Sequence, residues 1–335
     1  MTRLLALGLL TAVLAGPALA AAQDEDAQDE IGRSAIPIVG YDDKSGWLYG
    51  AAGFLYSDKE PGINAGLFGV SNLDDFHSAT LNYEQRSLGP WAYSVHLLGE
   101  RGFDHFYGEG DLTSATSPLF IRLYHYEARP MISYRLAPHF RVGLFADFRA
   151  RLEEGSHVFP DEASLEWGLN AQWDTRDKLI NTRNGDFFQA SVARMPWQLG
   201  FTQWNIDLRR FKRLRRELVW GNRLVAGASL GQPSYLFRYQ LGGLDLLRGY
   251  KTNRFRGAEF FLIQQELRWL FTRWLSLNLS VDLGDIRDDA YHQLKATGQV
   301  GLRLGLPPDW GQKMRVDLGV AADQMTFQIQ FGEIF

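Results

Sequence analysis

The feature that most constrains this chain is an alternation of apolar and polar residues with period two, repeated in segment after segment. Leu275, Leu277, Leu279, Val281 and Leu283 alternate with Ser276, Asn278, Ser280, Asp282 and Gly284. Val300, Leu302, Leu304 and Leu306 alternate with Gln299, Gly301, Arg303 and Gly305, and Met314, Val316, Leu318 and Val320 with Lys313, Arg315, Asp317 and Gly319. Trp204, Ile206 and Leu208 repeat the pattern against Gln203, Asn205, Asp207 and Arg209. Successive side chains of a strand point to opposite faces, so each segment has one apolar face and one polar, charged face. A soluble sandwich also alternates, but it rarely sustains this over so many long segments.

Sixteen such segments fall near 35–42, 47–58, 62–73, 77–88, 91–107, 121–137, 139–153, 164–178, 185–196, 202–214, 217–230, 257–272, 274–285, 294–306, 312–323 and 325–335. Turn formers separate several of them: Asp43-Lys44-Ser45-Gly46, Leu88-Gly89-Pro90, Ala137-Pro138 and Pro307-Pro308-Asp309. An even number of strands of about ten residues, with aromatics near their ends, matches an outer-membrane barrel. Within lipid only a closed sheet satisfies every backbone N–H and C=O. The pattern therefore predicts an all-β chain: one sixteen-stranded antiparallel transmembrane barrel over 34–335, its polar face lining the lumen and its apolar face meeting acyl chains.

The N-terminus predicts export. Arg3 supplies a positive start, Leu4 to Val13 an apolar run, Gly16 and Pro17 a break, and Ala18-Leu19-Ala20 a small-x-small cleavage site. Residues 1–20 read as a signal peptide, and 21–33, with Gln23-Asp24-Glu25-Asp26-Ala27-Gln28-Asp29-Glu30, as an acidic disordered linker. The expected destination is the Gram-negative outer membrane. In the last strand Phe327, Ile329, Phe331 and Phe335 share one face, and a terminal aromatic such as Phe335 is the signal that outer-membrane assembly machinery reads; Glu333 interrupts the row.

Composition removes several classes. The chain of 335 residues has no cysteine, which excludes a disulfide framework, a thiolate metal site and a cysteine nucleophile. A net charge of -4 gives no electrostatic case for nucleic acid. Beyond the first twenty residues no run of apolar residues is long enough for a membrane-spanning helix. The histidines, His77, His96, His105, His125, His139, His157 and His292, form no His-x-x-x-His or His-Glu-x-x-His spacing. There is no Gly-x-Ser-x-Gly elbow and no phosphate-cradling glycine loop. Asp174 and Asp177 resemble an acid/base pair, but they flank a strand end rich in turn formers, where a structural role is the expectation. The sequence points away from an enzyme and implies no cofactor or metal.

One segment is more than wall. Between the eleventh and twelfth strands, Leu241-Gly242-Gly243-Leu244-Asp245-Leu246-Leu247-Arg248-Gly249-Tyr250 leads through Lys251-Thr252-Asn253-Arg254-Phe255-Arg256-Gly257 to a strand with Gln265-Glu266-Leu267-Arg268. Here the chain resembles the BamA/TamA-type outer-membrane assembly barrels, also called bacterial surface antigen barrels. Their sixth extracellular loop carries an Arg-Gly-aromatic motif after a glycine-rich approach, at the position of Arg248-Gly249-Tyr250. Tyr250 stands where the best-known members have Phe. Asp174-Thr175-Arg176-Asp177 with Gly185, and Val281-Asp282-Leu283-Gly284, match two further family segments. The resemblance covers essentially 35–335 and leaves no room for periplasmic POTRA domains, so a POTRA-less member is the expectation.

Alternation puts Glu266 and Arg268 on the polar face of the twelfth strand and Asp282 on that of the thirteenth. A loop arginine folded into the lumen can meet these carboxylates through charge-assisted, bidentate hydrogen bonds. The resemblance implies the same lock, Arg248 with Asp282 and Glu266. It also implies a weak seam between the first strand, near Ile36 and Ile38, and the last, at Phe327, Ile329 and Phe331. The function expected is assistance to protein or lipid insertion or translocation at the outer membrane, with lipids and unfolded barrel or other protein clients as partners. The alternative is a passive pore or structural surface barrel with the loop as plug.

Overall fold

The computed structural model describes residues 32–42, 44–56, 63–108, 118–155, 159–178, 181–195, 200–231, 233–243, 245–288, 293–305 and 313–331. The sixteen strands of the barrel are β1 (Gly32–Asp42), β2 (Gly46–Tyr56), β3 (Ile63–Ser71), β4 (His77–Leu88), β5 (Trp91–Phe106), β6 (Leu119–Ala137), β7 (Phe140–Glu153) and β8 (Glu162–Asp174). They continue with β9 (Gly185–Arg194), β10 (Thr202–Arg215), β11 (Leu218–Leu230), β12 (Glu259–Leu270), β13 (Leu275–Arg287), β14 (Lys295–Gly305), β15 (Lys313–Val320) and β16 (Met325–Phe331). Each strand pairs antiparallel with its chain neighbours, and β1 meets β16 to close the sheet. β1 takes in Gly32 and Arg33, which the sequence places in the linker. The expected signal peptide, the rest of the linker, Glu333 and Phe335 lie outside the described residues.

Alternation decides the two faces. Leu279, Val281, Val300, Leu302, Leu318 and Val320 are exposed, while Ser276, Asn278, Ser280, Asp282, Gln299, Arg303, Arg315 and Asp317 are buried. Exposed Trp91, Tyr134, Trp173, Trp220, Trp269 and Trp274 collect at the end of the barrel that carries the short β4–β5, β6–β7 and β10–β11 turns. Trp47, Tyr49, Tyr126, Phe148 and Trp167 are exposed nearer the other end. On β6, Tyr126 and Tyr134 are separated by roughly 27 Å along the tilted strand. At a tilt of about 40° this spans about 20 Å of the bilayer normal, within an apolar band of about 25 Å bounded by aromatic girdles.

The interior departs from a solvated lumen: it is packed. Arg268, Arg303 and Arg315 are among its most deeply buried side chains. Arg303 is paired with Asp317, and Arg315 donates to Gln330 Oε1 at 3.2 Å. The reason is the β11–β12 connection, which folds inward. It contains a turn of 3-10 helix (Tyr235–Phe237) and two short paired strands (Tyr239–Leu241 and Phe255–Gly257) that the alternation does not reveal. Leu241, Leu247, Tyr250 and Phe255 from this loop pack on Val225, Phe260, Leu262 and Ile286 of β11, β12 and β13. Full burial of a leucine such as Leu241 or Leu247 contributes ~1.5–3 kcal/mol, which offsets part of the entropy lost in ordering the loop.

The register gives a direct test. Leu279→Arg turns a charge toward lipid and should cost about 2–4 kcal/mol near the midplane. Ser280→Ala, one residue along, removes only the hydrogen bond to Gln299 Oε1, about 1 kcal/mol. Urea titration followed by heat-modifiable gel mobility should rank the two in that order; the reverse order would put the strand in the other register.

Candidate functional site: an arginine clasp inside the barrel

The loop reaches the wall through turns that its glycines permit. Gly242, at φ 107°, donates to Leu246 O at 2.9 Å, and a Cβ there would lie 2.3 Å from Lys251 O. Gly243 donates to Tyr250 O at 3.0 Å, and Leu247 takes a left-handed φ of 59°. These bends turn Arg248 from the loop axis toward β12 and β13.

Arg248 is 1% exposed. Its backbone N–H donates to Asp282 Oδ2 at 2.8 Å, and its Nε reaches the same oxygen at 2.8 Å. Nη2 donates to Asp282 Oδ1, which completes a bidentate fork, and Nη1 donates to Glu266 Oε2 at 3.0 Å. Gln264 Nε2 supports Asp282 at 3.1 Å. Glu266 also accepts from Arg268 Nε and, at 3.1 Å, from Asn278 Nδ2. Two guanidinium groups thus face two carboxylates, so the buried charges are balanced.

Gly249 and Tyr250 complete the motif. Gly249 has φ 104°, and a Cβ would meet the backbone of Val320 on β15 at 3.0–3.1 Å. From the other side, a Cβ on Gly319 would lie 2.7 Å from Gly249 Cα. Two glycines therefore let the loop backbone lie on the wall. The Tyr250 ring is buried against Phe255, edge-on, with centroids 5.0 Å apart.

A second anchor holds the return limb. Buried Arg256 pairs with Asp104 of β5, and Asn253 Nδ2 donates to the same carboxylate at 3.0 Å. Arg256 also lies over Tyr235, 4.2 Å from its centroid. Sequence reasoning did not single out Asp104, Asn253, Arg256 or Gly319. The signal available was an inward charge or glycine on an alternating strand, and many strands carry one.

At the seam the structure brings β1 and β16 together through Tyr41↔Ile329, the one register pair among the described residues. The rings of Tyr41 and Phe327 are 5.9 Å apart on the outside. Ile38 is buried toward the lumen, and among the described residues neither Ile36 nor Ile38 has a register partner on β16. Phe331 pairs with Met314 of β15.

The Asp174 segment is a turn. Asp174 accepts three bonds from Arg176, from Nε at 2.9 Å, Nη2 at 2.8 Å and the backbone N–H at 3.1 Å, and Asp177 accepts the Arg183 backbone N–H at 3.0 Å. Among the described residues no group of three His, Asp or Glu side chains gathers as a metal site.

No family model matches the sequence, and no curated protein matches it either. Three barrels are among the solved structures similar to this one. BamA from Haemophilus ducreyi, in a form lacking POTRA domains 1–3, superposes with a TM-score of 0.62 at 13% identity, over 91% of this chain and 70% of that one. CdiB from Acinetobacter baumannii gives 0.61 at 12%, over 89% and 59%, and CdiB from Escherichia coli 0.65 at 11%, over 90% and 67%. The chain has the BamA-type barrel fold. That is the fold implied by Arg248-Gly249-Tyr250.

Two measurements test the clasp. Arg248→Ala or Asp282→Ala leaves a buried partner uncompensated, about 3–5 kcal/mol each. Each should raise protease cleavage within 231–258, and the double variant should fall well short of the sum because both report one interaction; strict additivity would mean that the two charges do not act on each other. Gly319→Ala should expose the loop as well, with every charge intact. Unchanged protection there would show that the loop backbone does not rest on β15.

Proposed function

We propose that the chain is an outer-membrane barrel of the assembly-factor kind, assisting protein or lipid insertion or translocation through a seam between β1 and β16. The contrast at that seam carries the reading. β1 pairs with β2 along its whole length, from Gly32↔Tyr56 to Asp42↔Gly46, and β16 pairs with β15 from Val320↔Met325 to Met314↔Phe331. Yet the closing strands share the register Tyr41↔Ile329 alone among the described residues. A Cβ on Gly40 would lie 2.9 Å from Ile329 O, so the backbones still touch there.

Among the described residues such an edge parts with the loss of few hydrogen bonds, and each freed edge is a template for a client strand. Ile36 and Ile38 belong to one edge, and Phe327, Ile329 and Phe331 to the other. In this reading the packed lumen favours a lateral route over the alternative of a passive pore or structural surface barrel, because the clasped loop occupies the space through which solutes would pass. The partners are outer-membrane lipids and unfolded barrel or other protein clients. The leader at 1–20 directs export, and Phe335 marks the chain for the assembly machinery.

The absence of native cysteine makes a clean test possible. Tyr41→Cys with Ile329→Cys places a disulfide across the seam. In vesicles holding the reduced barrel, folding of an unfolded client barrel or transbilayer movement of a labelled lipid should be accelerated; oxidation should abolish the gain and reduction restore it. Equal rates in both states would leave the barrel a pore or a structural protein.

A further inference from the structure

The outer wall opposite the seam carries a depression of about 660 Å³, lined mostly by outward side chains of β5 to β10. Its floor is made of alanines: Ala171 and Ala190 are cross-strand partners, and Ile206 faces Ala190 from the next strand. Trp91 and Tyr134 stand at one side, Trp204 at the other. The volume lies within the range of small-ligand pockets, about 300–1,000 Å³. Its outward position within the apolar band means that what fills it is hydrocarbon.

The column of β10 that borders the depression continues into a run of cations. Trp204, Ile206 and Leu208 point outward, then Arg210 and Lys212, and six of the eight residues 209–216 are Arg or Lys in a chain whose net charge is -4. Arg209 is held by Asp207 and Arg210 by Asp186. Lys212, Arg213, Arg215 and Arg216 are exposed, and among the described residues none has an ion pair; Glu217 is the acid beside them. Lys212 is the cross-strand partner of Trp220, a member of the aromatic girdle at the short-turn end. The cations without an ion pair therefore sit at headgroup level, from Lys212 at roughly 20 Å to Arg215 at roughly 30 Å along the strand from Ile206.

We propose that this wall binds an anionic phospholipid of the leaflet at the short-turn end, one acyl chain in the Ala171/Ala190 depression and the phosphate between Lys212 and Arg215. The site rests on the reading of the barrel as membrane-spanning. It differs from the seam in position and in chemistry: charge complementarity selects the headgroup, and a cup of methyl groups receives the chain. An acidic polypeptide would satisfy the cations but not the depression, which favours the lipid.

The test reconstitutes the whole chain in vesicles of equal phosphatidylglycerol and phosphatidylcholine and identifies co-purifying lipid by native mass spectrometry. The wild type should retain phosphatidylglycerol in excess, on the order of tenfold for a few uncancelled cations. Neutralising Lys212→Gln and Arg215→Gln together should return the ratio to that of the vesicle. Ala190→Phe should reduce the amount of lipid retained while the protein keeps its heat-modifiable mobility; Ala171→Leu serves the same purpose if the first variant does not insert. Enrichment that survives neutralisation, or retention unaffected by filling the cup, overturns the site. Capture of polyglutamate without lipid enrichment reassigns the run to an acidic protein and also overturns it. Wild type that inserts without enrichment sinks the lipid site alone, whereas failure to insert removes the membrane reading beneath it.

Discussion

Closure is the constraint on which the rest of the structure depends. A sheet with an apolar outer face cannot leave a backbone edge in lipid, because an unsatisfied N–H or C=O there has no water to turn to. Fifteen of the sixteen joints meet this demand with ladders of several consecutive residue pairs. The joint between β1 and β16 meets it with Tyr41↔Ile329 among the described residues and with aromatic contact outside. Among the described residues this joint has the shortest ladder of the sixteen.

Closing the sheet creates an interior, and the interior must be filled or wet. Here a long loop fills it, and charges do the fixing. Removing a guanidinium from water is recovered only when its donors all find acceptors. Arg248 satisfies this with the carboxylates of Asp282 and Glu266, and Asp282 accepts its backbone N–H as well. The network does not stop there. Glu266 binds Arg268, and Arg268 Nη1 donates to Thr182 O of the β8–β9 turn at 3.4 Å. A polar column therefore runs from the loop to the short-turn end. Its members belong together energetically, so the loss of one charge is felt as an unpaired partner rather than as one missing hydrogen bond.

Much of this was legible in the sequence. Period two fixed each face: Asp282 and Glu266 were inward because Leu279, Val281, Leu267 and Trp269 had to be outward. The sixteen segments corresponded to sixteen strands because an apolar outer face leaves little freedom of register. What stayed hidden was long-range. Nothing local distinguishes Asp104 from other inward acids on β5, because its role is set by Arg256, which lies 152 residues away in sequence. Gly319 looks like any inward glycine until Gly249 lies on it. The short strands Tyr239–Leu241 and Phe255–Gly257 were invisible for a related reason: a loop buried on all sides has no solvent face to impose a period.

The two charged anchors stand on opposite sides of the seam. Asp282 lies on β13, three strands from β16, and Asp104 on β5, four strands from β1. The loop thus ties together, from the inside, the two arcs of wall that end at the seam. Parting β1 from β16 then requires bending of the strands between anchor and edge; it does not require Arg248 to leave Asp282. Such bending is concentrated in β1 to β4 and β14 to β16, and Gly249 on Val320 lies within the second arc. Under the proposed opening at the seam, the loop would keep the lumen filled while the wall parts, which separates lateral passage from leakage through the pore axis.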